Sequence, residues 1–138
     1  MGRIEQKVKL LNAGDLLAVG MNLKSASEIR STELNVLVDT GAAMLCLPSH
    51  IIEQLGLLYN ETINVRTVNG IAERKVFSPV RVEVCGRNAV VEVLENDVTT
   101  PPLIGYLALE KMDLQVNMKD HTLMPNPAYD GKWLVDLL

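Results

Sequence analysis

The chain is poor in aromatic residues, cysteine and histidine, and it has no long apolar run. Aromatics make up 4% of its 138 residues, with one Trp, one Phe and three Tyr, so aliphatic side chains must fill any core. Two cysteines, Cys46 and Cys85, and two isolated histidines, His50 and His121, form no cluster with zinc spacing, and no metal or other cofactor is expected. Both cysteines lie in apolar or strand-like stretches, where an unpaired thiol behaves as a small hydrophobe, and both are expected to be buried and free. No span approaches the roughly 20 apolar residues of a membrane helix, and MGRIEQKVKL lacks the apolar centre of a signal peptide. Met1-Gly2 would suit N-myristoylation, but Gln6 stands where Ser or Thr is wanted. A soluble, cytoplasmic protein with no membrane partner is expected. The net charge is −4 and the basic residues are scattered, which argues against a nucleic-acid surface.

What is present is aliphatic and strand-like. Hydrophobic residues are 48% of the chain and charged residues 22%, enough for one core, and the length suits a single domain spanning 1–138. Segments 7–11, 16–22, 34–39, 62–68, 71–77, 80–86, 89–94 and 114–118 are rich in Val, Leu and Ile. Several of them alternate apolar and polar residues, as half-buried antiparallel strands do. Turn signals fall at Asn12-Ala13-Gly14-Asp15, Asn69-Gly70 and Gly86-Arg87-Asn88. One or two short helices are expected. Ser49 would cap the first, which runs to Leu55 and stops at Gly56, and GYLALEKM (105–112) would form the second. The polar stretch 23–33 is expected to be mobile. The tail 126–138 has no clear period until WLVDLL, which could add or cover an edge strand.

One acid is oddly placed. LNVLVDTGAAMLCLP sets Asp39 at the end of the most hydrophobic run, where charge is most expensive. Turn chemistry alone accounts for an isolated Asp-Thr-Gly, since the Asp side chain accepts a nearby N–H and the glycine supplies conformational freedom. The surroundings add more. LPSHIIEQLGL follows at once, a hairpin signal comes at Asn69-Gly70, and PLIGYLALEKMDLQVNM begins at Pro102.

With Asp39-Thr40-Gly41-Ala42, the Leu47-Pro48 approach to a helix, Leu103-Ile104-Gly105 and MDLQVNMKDHTLMPNP, the sequence resembles the retropepsin-like aspartic proteases, within them the small bacterial members. The resemblance runs from about Val8 to Pro127. It implies a mostly β fold, a small closed acid-protease-type barrel, with the hydrophobic-hydrophobic-Gly triplet beside the Asp turn. Such enzymes carry one catalytic Asp per chain, so it also implies a homodimer acting on a peptide or protein substrate. Two ionised carboxyls ~3 Å apart at an effective dielectric of ~20 would repel by about 5 kcal/mol, so the aspartic-protease dyad shares one proton. The ionised Asp39 would then take a proton from an attacking water while its protonated mate donates to the peptide carbonyl.

The resemblance assigns catalytic positions to Asp39, Thr40 and Gly41, with Thr40 bonding across the dimer axis. Substrate-binding positions would be Ala42, Ala43, Val68, Asn69, Gly70, Ile71 and Ile104. The Asn-Gly hairpin would be the flap that closes over substrate, with Asn69 and Gly70 at its tip. Ala42 has no hydroxyl to donate to Asp39, so a mildly acidic optimum, about pH 5–6, is expected. Retroviral enzymes pair an acid and an Arg where this chain has Ala43 and Tyr106, so both halves of that ion pair are absent together. A catalytically silent peptide-binding or dimerisation module on the same fold is the alternative.

Overall fold

In EQKVKLLN, alternating side chains send Val8 and Leu10 inward and Lys7 and Lys9 outward, and Glu5–Asn12 form strand β1. The computed structural model describes residues 3–137. Met1-Gly2, the start considered for myristoylation, and Leu138, the end of WLVDLL, lie outside the described residues. β1 pairs antiparallel on one side with β2 (Ser31–Val38) and on the other with β5 (Gly70–Val84). β5 pairs antiparallel with β6 (Arg87–Glu95), and β6 lies parallel to β3 (Leu45–Leu47). β3 meets β7 (Leu103–Ile104), which runs parallel to β2. The pairing β1-β2-β7-β3-β6-β5-β1 therefore closes on itself, and β4 (Tyr59–Thr67) hangs on β5 outside the ring. Closure leaves few open edges. The mostly β architecture anticipated from the alternation is the one observed.

Aliphatic side chains fill the ring, as the scarcity of aromatics requires. Leu10, Val36, Leu45, Leu47, Leu55, Val80, Val82, Val93, Ile104 and Met112 are all buried in one cluster. A separate hairpin, β8 (Leu114–Asn117) and β9 (Thr122–Pro125), follows the ring.

Several local readings are corrected. Segment 16–22, expected as a strand, lies mainly in helix α1 (Ala13–Gly20). The Asn12 side chain accepts the Asp15 N–H, so the supposed turn is a helix cap, and the Leu/Ala content behind it suits a helix. With α2 (Ser49–Gln54) and α3 (Tyr106–Lys111) the described residues hold three α-helices where one or two were expected. Pro48, not Ser49, occupies the cap position of α2, and Gly56 stops it at φ 65° as anticipated. The runs 71–77 and 80–86 form one strand, β5. A register shift between Phe77 and Val80 absorbs Pro79, which has no N–H to give the ladder. The β5–β6 turn is Cys85-Gly86, at φ 53° and 72°, one step earlier than expected. That position leaves the free Cys85 thiol exposed, whereas Cys46 is free and buried. Residues 133–137 join no strand, and β3, β7 and β9 are too short to register as periodic runs.

The polar stretch 23–33 is tethered. It holds a 3₁₀ turn at Ala26–Glu28 and the start of β2, and both ends reach buried Asp15. Arg30 grips that carboxylate through Nε and Nη2, each at 2.9 Å, and through its backbone N–H at 2.9 Å, while Lys24 Nζ donates at 2.7 Å. Asn12 completes the knot by donating to the Leu55 carbonyl at 2.8 Å. The Arg30 hydrogen bonds hold the Asp15 carboxyl well below the usual carboxylate range, against the cost of its burial. A carboxyl depressed in the folded state stabilises above its unfolded value and loses that contribution as pH falls toward the folded one. Asp15→Asn should cost roughly 3 kcal/mol at neutral pH. The Tm gap from wild type should narrow between about pH 5 and pH 3, a trend that thermal melts across that range will read.

The chain end is strapped to the body by Arg87, which is buried. Its Nη1 donates to the carbonyls of Met112 and Asp113 at 2.9 and 2.8 Å, and its Nη2 donates to that of Gly131 at 2.8 Å. Trp133 lies 5.8 Å from its guanidinium, and the indole N–H donates to the Lys111 carbonyl. Arg87, expected only as a turn residue, thus ends α3 and anchors the tail.

Candidate active site

β2 delivers Asp39 by running parallel to β7. The Leu37 N–H donates to the Pro102 carbonyl at 2.8 Å and the Asp39 N–H to the Ile104 carbonyl at 3.0 Å. The chain then turns at once, with the Ala42 N–H donating to the Asp39 carbonyl at 3.1 Å. Inside that turn Asp39 Oδ1 accepts the Gly41 N–H at 3.0 Å. The local bond uses one carboxylate oxygen and leaves the other without a protein donor among the described residues. Asp39 is half-buried, and Thr40 and Gly41 are exposed beside it. The Thr40 hydroxyl likewise has no partner among the described residues. A Cβ added at Gly41 would lie 3.3 Å from Asp39 Oδ1, so the glycine leaves the carboxylate room.

The turn is clamped from behind. The N–H groups of Tyr106 and Leu107, at the start of α3, donate to the carbonyls of Ala42 and Ala43 at 2.8 and 3.2 Å. This approach requires Gly105, which is in extended backbone that any residue can adopt. A Cβ there would fall 2.5 Å from the Ala42 oxygen and 2.5 Å from the Ala43 carbonyl carbon. Ile104 is 0% exposed, so its side chain offers no surface to a ligand and it reaches the site through its carbonyl. Ala42 and Ala43 are half-buried at the mouth of the turn, with Tyr106 exposed next to them.

Beneath the turn lies a second apolar cluster: buried Cys46, Val76, Leu94 and Leu103, with Leu37, Ala42, Met44, Ile63 and Val65 packed against them. Burial pushes the Cys46 thiol up to about 11, with the Asp39 charge adding to the shift, so it is an inert neighbour of the acid. Ile63 and Val65 come from β4, which places the inner face of the β4–β5 hairpin toward the Asp39 turn.

The hairpin forms where Asn69-Gly70 predicts one. Its loop residues are Val68 and Asn69, and Gly70, at φ 107°, opens β5 opposite Thr67. Thr67 Oγ1 accepts the Asn69 N–H and donates to the Gly70 carbonyl, which tightens the loop. Val68 and Ile71 are exposed at the tip, at 102% and 72%. Among the described residues no group of three His, Cys, Asp or Glu is placed to hold a metal ion. Nor, among the described residues, is any helix long and apolar enough to cross a membrane.

A closed β ring that presents Asp-Thr-Gly on a turn, braced by a Leu-Ile-Gly segment and overhung by a hairpin, has the form of an aspartyl protease of the retropepsin kind. Residues 26–111 match the family of gag-polyprotein aspartyl proteases, and the chain belongs to that family. No curated protein matches the chain. β1, α1 and the β8–β9 hairpin lie outside the matched residues.

Some contributors escaped the sequence reading. Gly105 belonged to the quoted triplet, but what makes it necessary is contact with Ala42 and Ala43, 62 or more positions earlier in the chain. Leu37 looked like an ordinary strand residue, Met44 was given no role, and Leu103 stood out only as part of the triplet. Their arrangement under Asp39 follows from pairings that local periodicity does not encode.

Proposed function

We propose that the chain is an aspartic endopeptidase that works as a homodimer, with Asp39 of each protomer meeting on the two-fold axis. The observation that carries this reading is the Asp39 carboxylate itself. It is aimed from a doubly anchored turn, with one oxygen held by Gly41 and the other left for a reacting partner. Two such groups share a proton, because both cannot ionise at hydrogen-bond distance, and their titration belongs to the pair. A water between them loses a proton to the ionised carboxyl as it attacks the peptide carbonyl, and the protonated carboxyl donates to the carbonyl oxygen. The exposed Thr40 hydroxyl bonds across the axis and fixes the relation of the two turns. Peptide lies between the Ala42-Ala43 backbone and the hairpin, whose tip closes over it and excludes water.

Mixing tests the shared site directly. Wild type and Asp39→Asn, denatured together in equal amounts and refolded, should give roughly a quarter of the activity per total protein that wild type gives alone, because mixed dimers hold one acid. Half the activity would show that each chain works by itself. Sedimentation of the same samples reports whether a dimer forms. A dimer that binds peptides and hydrolyses none would mark a silent binding module.

A further inference from the structure

The distal hairpin is an arm. β5 pairs with β6 only from Val76 onward, so, among the described residues, 62–75 have no neighbouring strand beyond the hairpin's own other half. On that arm Arg74 stands opposite Ile63, two residues before Val76, and shares the inner face on which Ile63 and Val65 pack against Cys46, Val76, Leu94 and Leu103. Strand alternation sends Glu73, Lys75 and Glu95 to the other face. Arg74 is thus the charge that the arm presents to the Asp39 turn.

Its present partners are weak ones. Arg74 Nη1 donates to the Glu73 carbonyl at 2.9 Å, and Nη2 stands 3.8 Å from Asp97 Oδ2, beyond hydrogen-bond reach. Asp97 precedes β7, in the loop that leads to the site. Thr99 and Thr100 fix its Oδ1 with bonds of 2.8–3.0 Å, so it cannot close on the guanidinium without losing them. Arg74, Asn96 and Asp97 line a groove of about 320 Å³ together with Thr62, Glu73, Lys75 and Glu95. A long, open ion pair contributes little, whereas a carboxylate free to move can engage a guanidinium through two parallel hydrogen bonds.

We propose that Arg74 is a specificity-determining residue that receives an acidic side chain of the peptide lying beneath the hairpin, displacing the loose contact with Asp97. The proposal rests on the peptidase reading above, and its test separates the two. Peptides with an apolar scissile pair, carrying Glu, Gln or Lys at each flanking position in turn, are measured in two ways. Cleavage by wild type gives kcat/KM, and fluorescence anisotropy gives binding to Asp39→Asn. The expected result is one position where Glu is favoured over Gln about tenfold in both measurements. Arg74→Lys should keep that preference, Arg74→Glu should turn it toward Lys, and Asp97→Asn should strengthen it by removing the competing carboxylate. An unchanged ranking of Glu, Gln and Lys in Arg74→Glu would overturn the proposal. Binding with the expected charge preference but no cleavage would sink the peptidase reading and leave the role of Arg74 standing. Failure of every peptide to bind would overturn both.

Discussion

Asp39→Asn should lower kcat/KM for any cleaved peptide by at least about 10³-fold while leaving the fold intact. The amide keeps the carbonyl oxygen that accepts the Gly41 N–H at 3.0 Å, so the turn loses no internal bond. It cannot accept a proton from water, and in the proposed homodimer it would remove the shared proton from both sides at once. The measurement is a peptide digest across about pH 4–7 together with thermal melts. The expected pair of results is lost hydrolysis and a Tm within a few degrees of wild type. Equal hydrolysis by the two proteins would remove Asp39 from the chemistry.

Gly105→Ala should be the most damaging single methyl group in the site. The added carbon meets backbone atoms of Ala42 and Ala43 at 2.5–2.7 Å, and backbone cannot swing aside as a side-chain tip can. Either α3 backs away from the turn, breaking the bonds from Tyr106 and Leu107, or the turn itself shifts and takes Asp39 with it. A cost of about 2–4 kcal/mol follows, seen as a fall in Tm of roughly 10 °C, with activity falling further than stability explains. Gly20→Ala is the control. A Cβ there has nothing within 4 Å, so its Tm should not fall. If Gly105→Ala melts and cleaves like wild type, the close packing of α3 against the turn is not what holds the site.

Much of the architecture was legible because strand alternation is a local signal. β1, β4, β6 and β8 were visible from period and turn residues, and so was the hairpin at Asn69-Gly70. α1 was not, because a run such as LLAV suits either state and Asn12 serves a turn as readily as a helix cap. β5 was broken in two by Pro79, which the structure tolerates through a shifted register. The Asp39 turn stood out in the sequence because a carboxylate at the end of an apolar strand is costly without a purpose. What completes it was hidden. The grip of Arg30 and Lys24 on Asp15, the need for glycine at 105 and the approach of Arg74 to Asp97 all arise between segments apart in the chain, where no sequence period reports contact.

The parallel pairing of β2 with β7 has a further consequence for how the protein matures. Asp39 takes its final place only when a segment some 65 positions later has been synthesised and inserted beside it. Closing a loop of that span costs entropy that neighbouring contacts cannot repay early, so the ring is completed late. A ribosome-bound intermediate ending before Leu103 carries the Asp-Thr-Gly turn without the bonds from β7 and α3 that clamp it from behind. Biosynthesis is thereby guarded: the acid is made well before the segment that sets its aim.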